Sequence, residues 1–394
     1  MSGHDYDVAV IGGGINGVGV AQAAAAAGHS VVLIEKQGLA AGTSSKSSML
    51  IHGGLRYLES YEFGLVRESL RERALLLELA PDLVQLQSFL IPIYRNTRRS
   101  PLLLRTGLSL YYLLSGMNAA ARFSGVPRLQ WDGLNGLRTD NLRAVFRYTD
   151  ARTDDALLTE AVMRSAQKLG AELLCPAAFT RAEVHDEGCE LHYRTGEWER
   201  SCSARVLVNA AGPWINRVAA KIEPRIERIS VELVQGTHIA VPGSLGDDFF
   251  YLESPRDGRA VFIMPRDGHL LIGTTETRYR ENPDHVRPLP GEESYLLGVL
   301  RHYFPEFTNI NRSNLISSWA GLRVLPGGPG HAFHRSRETI LQPDRRNRPR
   351  VLGIYGGKLT TYRATAEKVI ERIAPSLPSR KPVADTARLQ LSLG

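Results

Sequence analysis

The pattern of hydrophobic and polar positions is clearest at the start of the chain. The apolar run Tyr6–Ile11 predicts a buried strand, and Val31–Glu35 predicts a second one. Between them, the alanine-rich stretch Val18–Ala27 follows a glycine turn and predicts a helix that ends at Gly28. Strand, glycine turn, helix and strand in this order indicate a nucleotide-binding unit of the Rossmann type.

Later segments add helices and a second kind of sheet. Hydrophobic periodicity predicts helices over Asp155–Leu169, Leu289–Tyr303 and Thr361–Ile373. In Val231–Ile272, short strands alternate with Pro, Gly and Asp turns, which is typical of an antiparallel sheet. We therefore predict an α/β fold in which a nucleotide domain is interleaved with an antiparallel one.

The composition is that of an ordinary globular protein. Of 394 residues, 43% are hydrophobic and 23% are charged, and the length is sufficient for two or three cores. No window approaches the roughly 18 to 20 continuous apolar residues that a membrane-spanning helix needs. No secretory signal precedes the first strand. We therefore expect that the protein is neither an integral membrane protein nor a secreted one.

Charge and cysteine content exclude only a few classes of protein. The formal charge of +7 comes from arginine, because only seven of the 48 basic residues are lysine. Arginine recognises phosphate and carboxylate through its forked guanidinium, but a codon bias produces the same excess. Cys175, Cys189 and Cys202 have no CxxC spacing, which is typical of a reducing compartment. We predict a cytoplasmic protein with no metal site and no nucleic-acid partner.

The glycine turn carries a dinucleotide fingerprint in residues 12–17, which read GGGING. Gly12 permits a tight turn, Gly14 lets the helix N-terminus approach a pyrophosphate, and Gly17 lets helix and strand pack closely. Glu35, at the end of the second strand, can accept hydrogen bonds from ribose hydroxyls, and its charge disfavours a 2′-phosphate. In this context the GxGxxG motif predicts a dinucleotide site.

The fingerprint alone does not distinguish FAD from NAD, but two later segments favour FAD. Residues 205–214 combine a strand with small residues suited to lie along a bound nucleotide, and residues 351–361 form another strand and glycine turn before a helix. A second helix N-terminus in the site favours electron density on a reduced flavin ring. No second GxGxxG motif is present, so we expect no separate NAD domain.

A polar segment follows the nucleotide unit at residues 42–59. It combines serines and glycines with Lys46, His52 and Arg56. Glycine and serine let the backbone approach a ligand closely and supply small donors, while the other side chains add charge and a titratable group. The segment therefore predicts one wall of a ligand site.

Seven motifs, in order over nearly the whole chain, resemble the FAD-dependent glycerol-3-phosphate dehydrogenases of the D-amino-acid-oxidase-like flavoprotein superfamily. The segments IHGGLRYLE and GGKLTTYR are much more specific than the glycine fingerprint. The motifs are IGGGINGVGVA (11–21), TSSKSSMLIHGGLRYLESYEF (43–63), VNAAGPW (208–214), QGTHIAVP (235–242), LLIGTTE (270–276), AGLRVLP (320–326) and YGGKLTTYR (355–363).

The resemblance implies a non-covalent FAD held between a Rossmann-like domain and an antiparallel β-sheet cap. The FAD-binding domain is predicted to be discontinuous because substrate segments interrupt it. We assign residues 1–90, 145–228 and 318–378 to the FAD-binding domain, 91–144 and 229–317 to the substrate (cap) domain, and 379–394 to a C-terminal tail.

The same resemblance places the cofactor against four loops. Lys46 and the serines of segment 42–59 are expected on the FAD side of the site. The predicted cofactor residues are Gly12, Gly13, Gly14, Ile15, Asn16, Gly17, Glu35, Lys36, Thr43, Ser44, Ser45, Ser47, Ala211, Gly212, Trp214, Gly356, Gly357, Lys358, Leu359 and Thr360.

The reaction implied by the resemblance is oxidation of sn-glycerol 3-phosphate to dihydroxyacetone phosphate, with hydride transfer from C2 to flavin N5. The electrons would then pass to a quinone or another non-NAD acceptor. Substrate contacts of the family fall on Arg56, Tyr57, Arg323, Lys358 and Thr361.

Physical chemistry agrees with these positions. A phosphate monoester carries nearly two charges at neutral pH and needs more than one cation, which Arg56, Arg323 and Lys358 can supply. Loss of the hydroxyl proton suits a group of near-neutral pKa, such as His238 or His52. The developing alkoxide would be stabilised by the same cations. We therefore predict His238, His52 and Arg323 as the catalytic residues.

Some assignments have competing interpretations. Arg323 would also suit a surface ion pair, and His238 lies on an apparently half-buried strand, where a structural histidine is common. A further loop arginine of the family falls on Arg335 or Arg337. These alternatives stay open at the level of sequence.

Three departures from the family pattern bear on function. Longer members continue with a helical C-terminal domain, whereas this sequence has the pattern of a short form. Val324 replaces a usual proline, and Gln235 stands where a basic residue is common. These departures leave open a related polyol phosphate as substrate, the identity of the acceptor, and the formation of a homo-oligomer.

Residues 91–116 carry arginines on both sides of an apolar stretch that begins at Leu102. The stretch is too short to span a bilayer but has the composition of an interfacial anchor. A buried helix beneath a basic surface is the competing interpretation. The two interpretations correspond to a peripheral location on the inner face of the cell membrane and to a purely cytoplasmic one.

Two other functional hypotheses remain. One is an FAD-dependent oxidase of an amino or hydroxy acid, whose carboxylate needs a single arginine, so that several candidate cations count against it. The other is a partner-dependent or non-catalytic flavoprotein, whose missing region comes from another chain. The intact motifs at residues 51–59 and 355–363 favour catalysis over the second hypothesis.

Overall fold

The fold is taken from a computed structural model in which residues 4–327 and 339–393 are described. The α-helices of these residues are α1 (Ile15–Ala26), α2 (Phe63–Leu79), α3 (Pro101–Leu114), α4 (Asp155–Lys168), α5 (Ile215–Ala219), α6 (Pro290–Tyr303) and α7 (Tyr362–Ile373). The strands are β1 (Tyr6–Ile11), β2 (Val31–Ile34), β3 (Leu50–Ile51), β4 (Gln85–Tyr94), β5 (Phe123–Gly125), β6 (Leu142–Arg152), β7 (Glu172–Leu174), β8 (Ala178–Val184), β9 (Cys189–Thr195), β10 (Trp198–Asn209), β11 (Ile222–Glu223), β12 (Val231–Pro242), β13 (Phe249–Glu253), β14 (Ala260–Arg266), β15 (His269–Gly273), β16 (Thr277–Tyr279), β17 (Ser317–Pro326), β18 (Ile340–Pro343) and β19 (Val351–Tyr355).

The first sheet has a parallel centre in the order β7-β2-β1-β10-β19. Its strands come from the two ends and the middle of the chain, as the interleaved prediction requires. The first half of β10 extends past this centre and pairs antiparallel with β9. The sheet continues from β9 to β8 and then to β11, each paired with the next. The carboxyl ends of the parallel strands therefore lie along one edge, where α/β proteins bind nucleotides.

Side chains of a strand alternate between the two faces of a sheet, and both faces of this sheet are buried. Val8 and Val10 of β1 pack in the same core as α1, α4 and α7, while Ala9 and Ile11 pack in a second core with β8 and β9. The alanines of α1 allow close approach of its neighbours. A Cβ atom on Gly19 would lie 2.7 Å from the ring of Tyr362 in α7.

Within residues 4–327 and 339–393, the second sheet is antiparallel except for one parallel pair, β4 with β13. Its main path is β16-β12-β15-β14-β13-β4-β6-β3, and β17 pairs with β12 over ten residues. Helix α6 covers one face, where Leu296 and Leu300 join Ile239 and Val241 of β12 in a common core. The predicted antiparallel region and the predicted helix at 289–303 are confirmed.

Sheet membership departs from the predicted domain limits in four places. Residues 50–51 in β3 and 85–90 in β4, assigned to the FAD-binding domain, pair with β6 in the second sheet. Residues 318–326, assigned to the FAD-binding domain, belong to β17 of the second sheet, because β17 pairs along its whole length with β12. Residues 145–152 belong to β6, which pairs with β4 in the same sheet. The predicted limits followed the order of motifs along the chain, whereas the sheets follow pairing between distant segments.

Helix α3 has a buried face and an exposed apolar face. Ser100 caps its N-terminus by accepting a hydrogen bond from the Leu103 backbone N–H at 3.2 Å. Leu108 and Tyr111 are buried, whereas Leu102 is 75% exposed. The buried face agrees with the interpretation as a buried helix, and contact of the exposed face with a lipid surface stays a prediction. No helix among the described residues is both long and apolar enough to cross a bilayer.

Candidate active site

A cavity of about 780 Å³ lies between the two sheets. Its wall is formed on one side by the turns that follow β1, β2, β10 and β19, and on the other by strands of the second sheet. Segment 42–59 runs between the two sides and contributes residues from Gly42 to Tyr57. The site therefore has a nucleotide end, built by the first sheet, and a second end built by the antiparallel sheet.

The nucleotide end depends on close approach of backbone atoms. Gly12 has a φ of +109°, and a Cβ atom there would lie 2.7 Å from the Ala210 carbonyl oxygen. At Gly17 a Cβ atom would lie 1.9 Å from the Gly12 carbonyl oxygen. Glu35 accepts hydrogen bonds from the backbone N–H of Gly13 at 2.7 Å and of Gln37 at 2.8 Å. These contacts fix the turn and place a carboxylate beside it.

Helix α1 begins at Ile15, three residues before the predicted start. The Ser44 hydroxyl accepts a hydrogen bond from the Ile15 backbone N–H at 2.9 Å, so segment 42–59 completes the first turn. Most predicted cofactor residues line the cavity. Gly17 and Ser45 do not; Gly17 instead packs against the glycine turn. Their place within motifs predicted a ligand contact for both, but neither side of the cavity includes them.

A polar cluster around Asp284 lines the nucleotide end. Asp284 accepts hydrogen bonds from Lys36 Nζ at 3.0 Å, from Trp214 Nε1 at 2.8 Å and from Arg217 Nη1 at 3.1 Å. Although partial burial raises the pKa of Asp284, the bonds from Lys36 and Trp214 leave it lowered overall. The sequence identified Lys36 and Trp214 but missed Asp284, since it reaches them from a distant segment.

The residues at this end fit a dinucleotide. The glycines of residues 12–14 line the cavity with backbone atoms alone. Asn16 lines the cavity, and its buried Oδ1 atom has no hydrogen-bond partner among the described residues. A buried polar atom of this kind is normally satisfied, so it indicates a ligand contact. Gly356 and Gly357, with φ of +87° and +113°, line the wall next to Asn16, whose Nδ2 donates to the Gly356 carbonyl oxygen at 3.3 Å.

The second end is dominated by cations grouped around one carboxylate. Arg323 Nη1 donates to Glu276 Oε1 at 2.9 Å. Arg56 Nη1 lies 3.7 Å from the same oxygen, and Arg259 Nη1 lies 3.8 Å from Oε2. Lys358 Nζ lies 3.8 Å from the ring centroid of Tyr57. All of these side chains line the cavity, and we call Arg56, Arg259, Arg323 and Glu276 the arginine cluster.

Two members of the arginine cluster were missed at the sequence level. Glu276 is the last residue of the LLIGTTE motif, and Arg259 precedes β14. Pairing of β14 with β15 and of β12 with both β15 and β17 brings them beside Arg323. The motif around Glu276 was a usable signal, whereas nothing local distinguished Arg259 from the other arginines of the chain.

His238 lies in β12 and lines the cavity while being only 1% exposed. Its Nε2 atom lies 2.9 Å from the Ser48 hydroxyl, and its ring stacks on Trp319 with centroids 5.7 Å apart. Gly273 makes room for the ring, because a Cβ atom there would lie 2.0 Å from His238 Cδ2.

The expected near-neutral pKa of His238 is wrong for this environment. Burial, and secondarily the charge of Arg323, lowers its pKa to about 3. The imidazole is therefore neutral at pH 7 and can accept a proton, but only as a weak base. An anion bound beside Arg323 would offset the second of these causes.

The other predicted substrate residues divide into two groups. Arg56, Tyr57, Lys358 and His52 line the cavity, and the His52 backbone N–H donates to the Thr360 hydroxyl at 3.2 Å. Thr361, the N-cap residue immediately before α7, is only 2% exposed and is not part of the cavity wall. Predicted residues Arg335 and Arg337 lie outside the described residues.

The two sequence departures differ in their relation to the site. Val324 lines the cavity beside Arg323. Gln235 is 1% exposed and lies outside the wall, where its amide donates to Glu292 Oε2 at 2.6 Å. Glu292 also accepts hydrogen bonds from Thr237 and Thr275, so Gln235 belongs to a buried network behind the site.

Comparison with known proteins agrees with this architecture. A profile of the family described as FAD dependent oxidoreductase matches residues 7–372. Glycerol-3-phosphate dehydrogenase of Pseudomonas aeruginosa is 38% identical over 394 residues, which cover 99% of this chain and 75% of that protein. D-erythritol 1-phosphate dehydrogenase of Brucella abortus is 37% identical over 377 residues, covering 94% and 74% respectively.

A solved structure extends the agreement to three dimensions. Glycerol-3-phosphate dehydrogenase from Bacillus halodurans, complexed with FAD, superposes with a TM-score of 0.76 at 28% identity. The alignment covers 100% of this chain and 68% of that one. The predicted α/β class, the resemblance and the choice of FAD are thereby confirmed. The chain belongs to the family of FAD-dependent oxidoreductases.

Proposed function

We propose that the protein oxidises sn-glycerol 3-phosphate to dihydroxyacetone phosphate and passes the electrons to a quinone or another non-NAD acceptor. The observation that carries this proposal is the arginine cluster with Lys358, which gathers four cations at one end of the cavity. A phosphate monoester, with nearly two negative charges, matches several converging cations better than a single carboxylate does.

The chain's own residues have separate tasks in this proposal. Arg56, Arg259 and Arg323 bind the phosphate and orient the carbon chain. His238, neutral and held by Ser48 and Trp319, accepts the hydroxyl proton as the hydride leaves. His52 lines the same cavity. FAD, when bound, supplies the hydride acceptor.

A second candidate substrate is D-erythritol 1-phosphate. A dehydrogenase named for that substrate is 37% identical to this chain, close to the 38% of a glycerol-3-phosphate dehydrogenase. Val324 lines the cavity where the family usually has proline, which supports a wall of altered shape. Oxidation of an amino or hydroxy acid is less well supported, because its carboxylate needs fewer cations.

The deciding experiment is anaerobic mixing of the holoprotein with each candidate while the flavin absorbance band is followed. We expect sn-glycerol 3-phosphate to bleach the band at a lower concentration than D-erythritol 1-phosphate. Bleaching by an amino or hydroxy acid alone would contradict the proposal. A reduced flavin that is reoxidised by a soluble quinone but not by NAD⁺ would support the acceptor class.

The exposed face of α3 supports contact with a lipid surface, at which a quinone acceptor would be reached. Leu102, Leu103 and Leu113 are 75%, 57% and 60% exposed, and Arg98 and Arg105 lie close to them in sequence. Apolar side chains flanked by arginine suit an anionic lipid interface.

Lipid contact can be tested by co-sedimentation with vesicles that contain anionic lipid. Leu103→Glu is expected to abolish sedimentation. Leu129→Glu is the matched control, because Leu129 is 97% exposed but lies outside α3. Equal sedimentation of both variants and the unmodified protein would contradict this part of the proposal.

A further inference from the structure

Segment 42–59 is supported by a buried polar network that the proposed reaction does not itself use, and one member of this network, Asp150, also lines the cavity. The network consists of Arg73 of α2, Tyr111 of α3 and Asp150 of β6, none of which is more than 1% exposed. It therefore joins two helices and one strand at a single point, and that point is Gly53 of the segment.

The contacts of this network converge on one backbone N–H group. Gly53 donates to the Tyr111 hydroxyl at 2.8 Å and to Asp150 Oδ1 at 3.3 Å. Tyr111 in turn donates its hydroxyl proton to Asp150 Oδ2 at 2.7 Å. Arg73 Nη1 donates to Asp150 Oδ1 at 2.5 Å. A buried carboxylate is tolerated here because it has both a cation and hydrogen-bond donors.

Steric contacts restrict the same point. A Cβ atom on Gly53 would lie 2.5 Å from both the Tyr111 hydroxyl and Leu70 Cδ2, so the backbone is seated directly on α2 and α3. Residues on either side of Gly53 face the cavity, namely His52 and Arg56. A shift of Gly53 would therefore move a cavity-lining histidine and one member of the arginine cluster together.

We propose that Tyr111 is a positioning residue, whose hydroxyl fixes the backbone at Gly53 and thereby the placement of His52 and Arg56 for substrate binding. This inference rests on the proposed function for the identity of the substrate. It assigns α3 a role on its buried face that is separate from the role of its exposed leucines.

A tyrosine suits this position better than a phenylalanine of the same shape. Its hydroxyl accepts from Gly53 and donates to Asp150 at once, so it satisfies two buried polar groups. Burial, followed by the charge of Asp150, raises the pKa of Tyr111 well above its usual value, so the hydroxyl stays protonated and keeps donating.

The experiment compares Tyr111→Phe with Tyr112→Phe in the FAD-loaded protein. Tyr112 is the matched control because it follows in the same helix but is only partly buried. Four quantities are measured. They are the dissociation constant of inorganic phosphate from its effect on the flavin spectrum, the half-saturating concentration of sn-glycerol 3-phosphate for anaerobic flavin reduction, the melting temperature and the FAD content.

Tyr111→Phe is expected to weaken phosphate binding and to raise the half-saturating substrate concentration, each by about tenfold, the usual worth of one hydrogen bond. Tyr112→Phe should stay within about twofold of the unmodified protein on every measure. FAD content should be equal in both variants, since Tyr111 is outside the nucleotide end.

Several results would overturn the inference. They are equal phosphate binding in the two variants, a change in melting temperature without a change in phosphate binding, and no response to phosphate in any of the proteins. If Tyr111→Phe weakens phosphate binding but no variant is reduced by sn-glycerol 3-phosphate, the positioning role stands and the proposed substrate is wrong. If sn-glycerol 3-phosphate reduces the unmodified protein and both variants bind phosphate equally, the proposed substrate stands and the positioning role is wrong.

Discussion

The two ends of the cavity are built from different materials. The nucleotide end is formed largely by backbone, with Gly12, Gly13 and Gly14 in one turn and Gly356 and Gly357 in another. The opposite end is formed by long charged side chains from three separate segments, gathered around Glu276. The structure of the nucleotide end depends on local backbone turns, whereas the structure of the opposite end depends on pairing between distant strands.

This difference teaches what each end can tolerate. A backbone turn has little freedom to adjust, because a single added methyl group collides with main-chain atoms. A cluster of long side chains can lose one member and keep its shape, at the cost of binding strength. We therefore expect substitutions at the nucleotide end to affect folding and cofactor content, and substitutions at the other end to affect substrate binding alone.

The largest effect is expected from Gly17→Ala. The new Cβ atom would lie 1.9 Å from the Gly12 carbonyl oxygen, which is backbone and has no space to move into. We expect a loss of about 3 kcal/mol or more in the free energy of unfolding. Purified protein should show a lower melting temperature and little flavin absorbance.

Gly38→Ala is the control for this change, because a Cβ atom at Gly38 would have no neighbour within 4 Å. It should retain FAD and its melting temperature. A Gly17→Ala protein that keeps its full flavin content would show that the turn is more compliant than the contact implies.

Arg323→Ala tests the end of the cavity that holds the arginine cluster. Removing a guanidinium that lies against Glu276 and lines the cavity should raise the substrate concentration for half-maximal flavin bleaching by about a hundredfold, with FAD still bound. Arg147→Ala is the control, since Arg147 pairs with Asp248 at 3.0 Å on the surface. Loss of FAD in Arg323→Ala would contradict the expectation that substitutions at this end affect substrate binding alone.

His238 gives a pH-dependent test of the same end. Its pKa is lowered to about 3 in the folded state, against about 6.5 in the unfolded chain. Between these values the unfolded chain takes up a proton that the folded protein refuses, so the free energy of unfolding falls as the pH falls. From pH 7 to pH 5, His238 should account for a loss of about 2 kcal/mol.

Denaturant titrations at both pH values would measure this loss. His238→Gln, which cannot take up a proton in this range, should lose correspondingly less stability than the unmodified protein. Parallel curves for the two proteins would mean that His238 titrates normally in the folded state.

Glu276→Gln is expected to have the smallest effect and the opposite sign. It removes one negative charge from among three guanidiniums while keeping a hydrogen-bond acceptor for Arg323. Inorganic phosphate should bind about tenfold more tightly at low salt, and the gain should shrink as salt is added. Weaker binding would indicate that Glu276 serves mainly to hold the arginines in place.

The same contrast explains what could be predicted from sequence. The turn at Gly12, the strand Tyr6–Ile11 and the carboxylate of Glu35 depend on residues within one short segment, so local pattern was sufficient. Arg323 and Lys358 were found through motifs. Arg259 was not, because its place beside Glu276 follows from strand pairing that no local pattern encodes.

The misplaced predictions have related physical causes. Thr361 belongs to a motif, but the packing around the N-terminus of α7 buries it outside the cavity wall. The pKa of His238 depends on burial between Trp319 and β15, which is a property of the assembled sheet. The network of Arg73, Tyr111 and Asp150 was invisible for the same reason, since its members are far apart in the chain.

The parallel centre of the first sheet has a consequence for how the protein is made. β1 pairs with β10, and β10 with β19, so the sheet joins residues 6–11, 198–209 and 351–355. Gly356 and Gly357, which complete the nucleotide end, follow directly after β19. A ribosome must therefore deliver residues beyond 357 before the FAD pocket can close, and until then the apolar edge of β10 is exposed. FAD can therefore be enclosed only after all three of these segments have left the ribosome and paired.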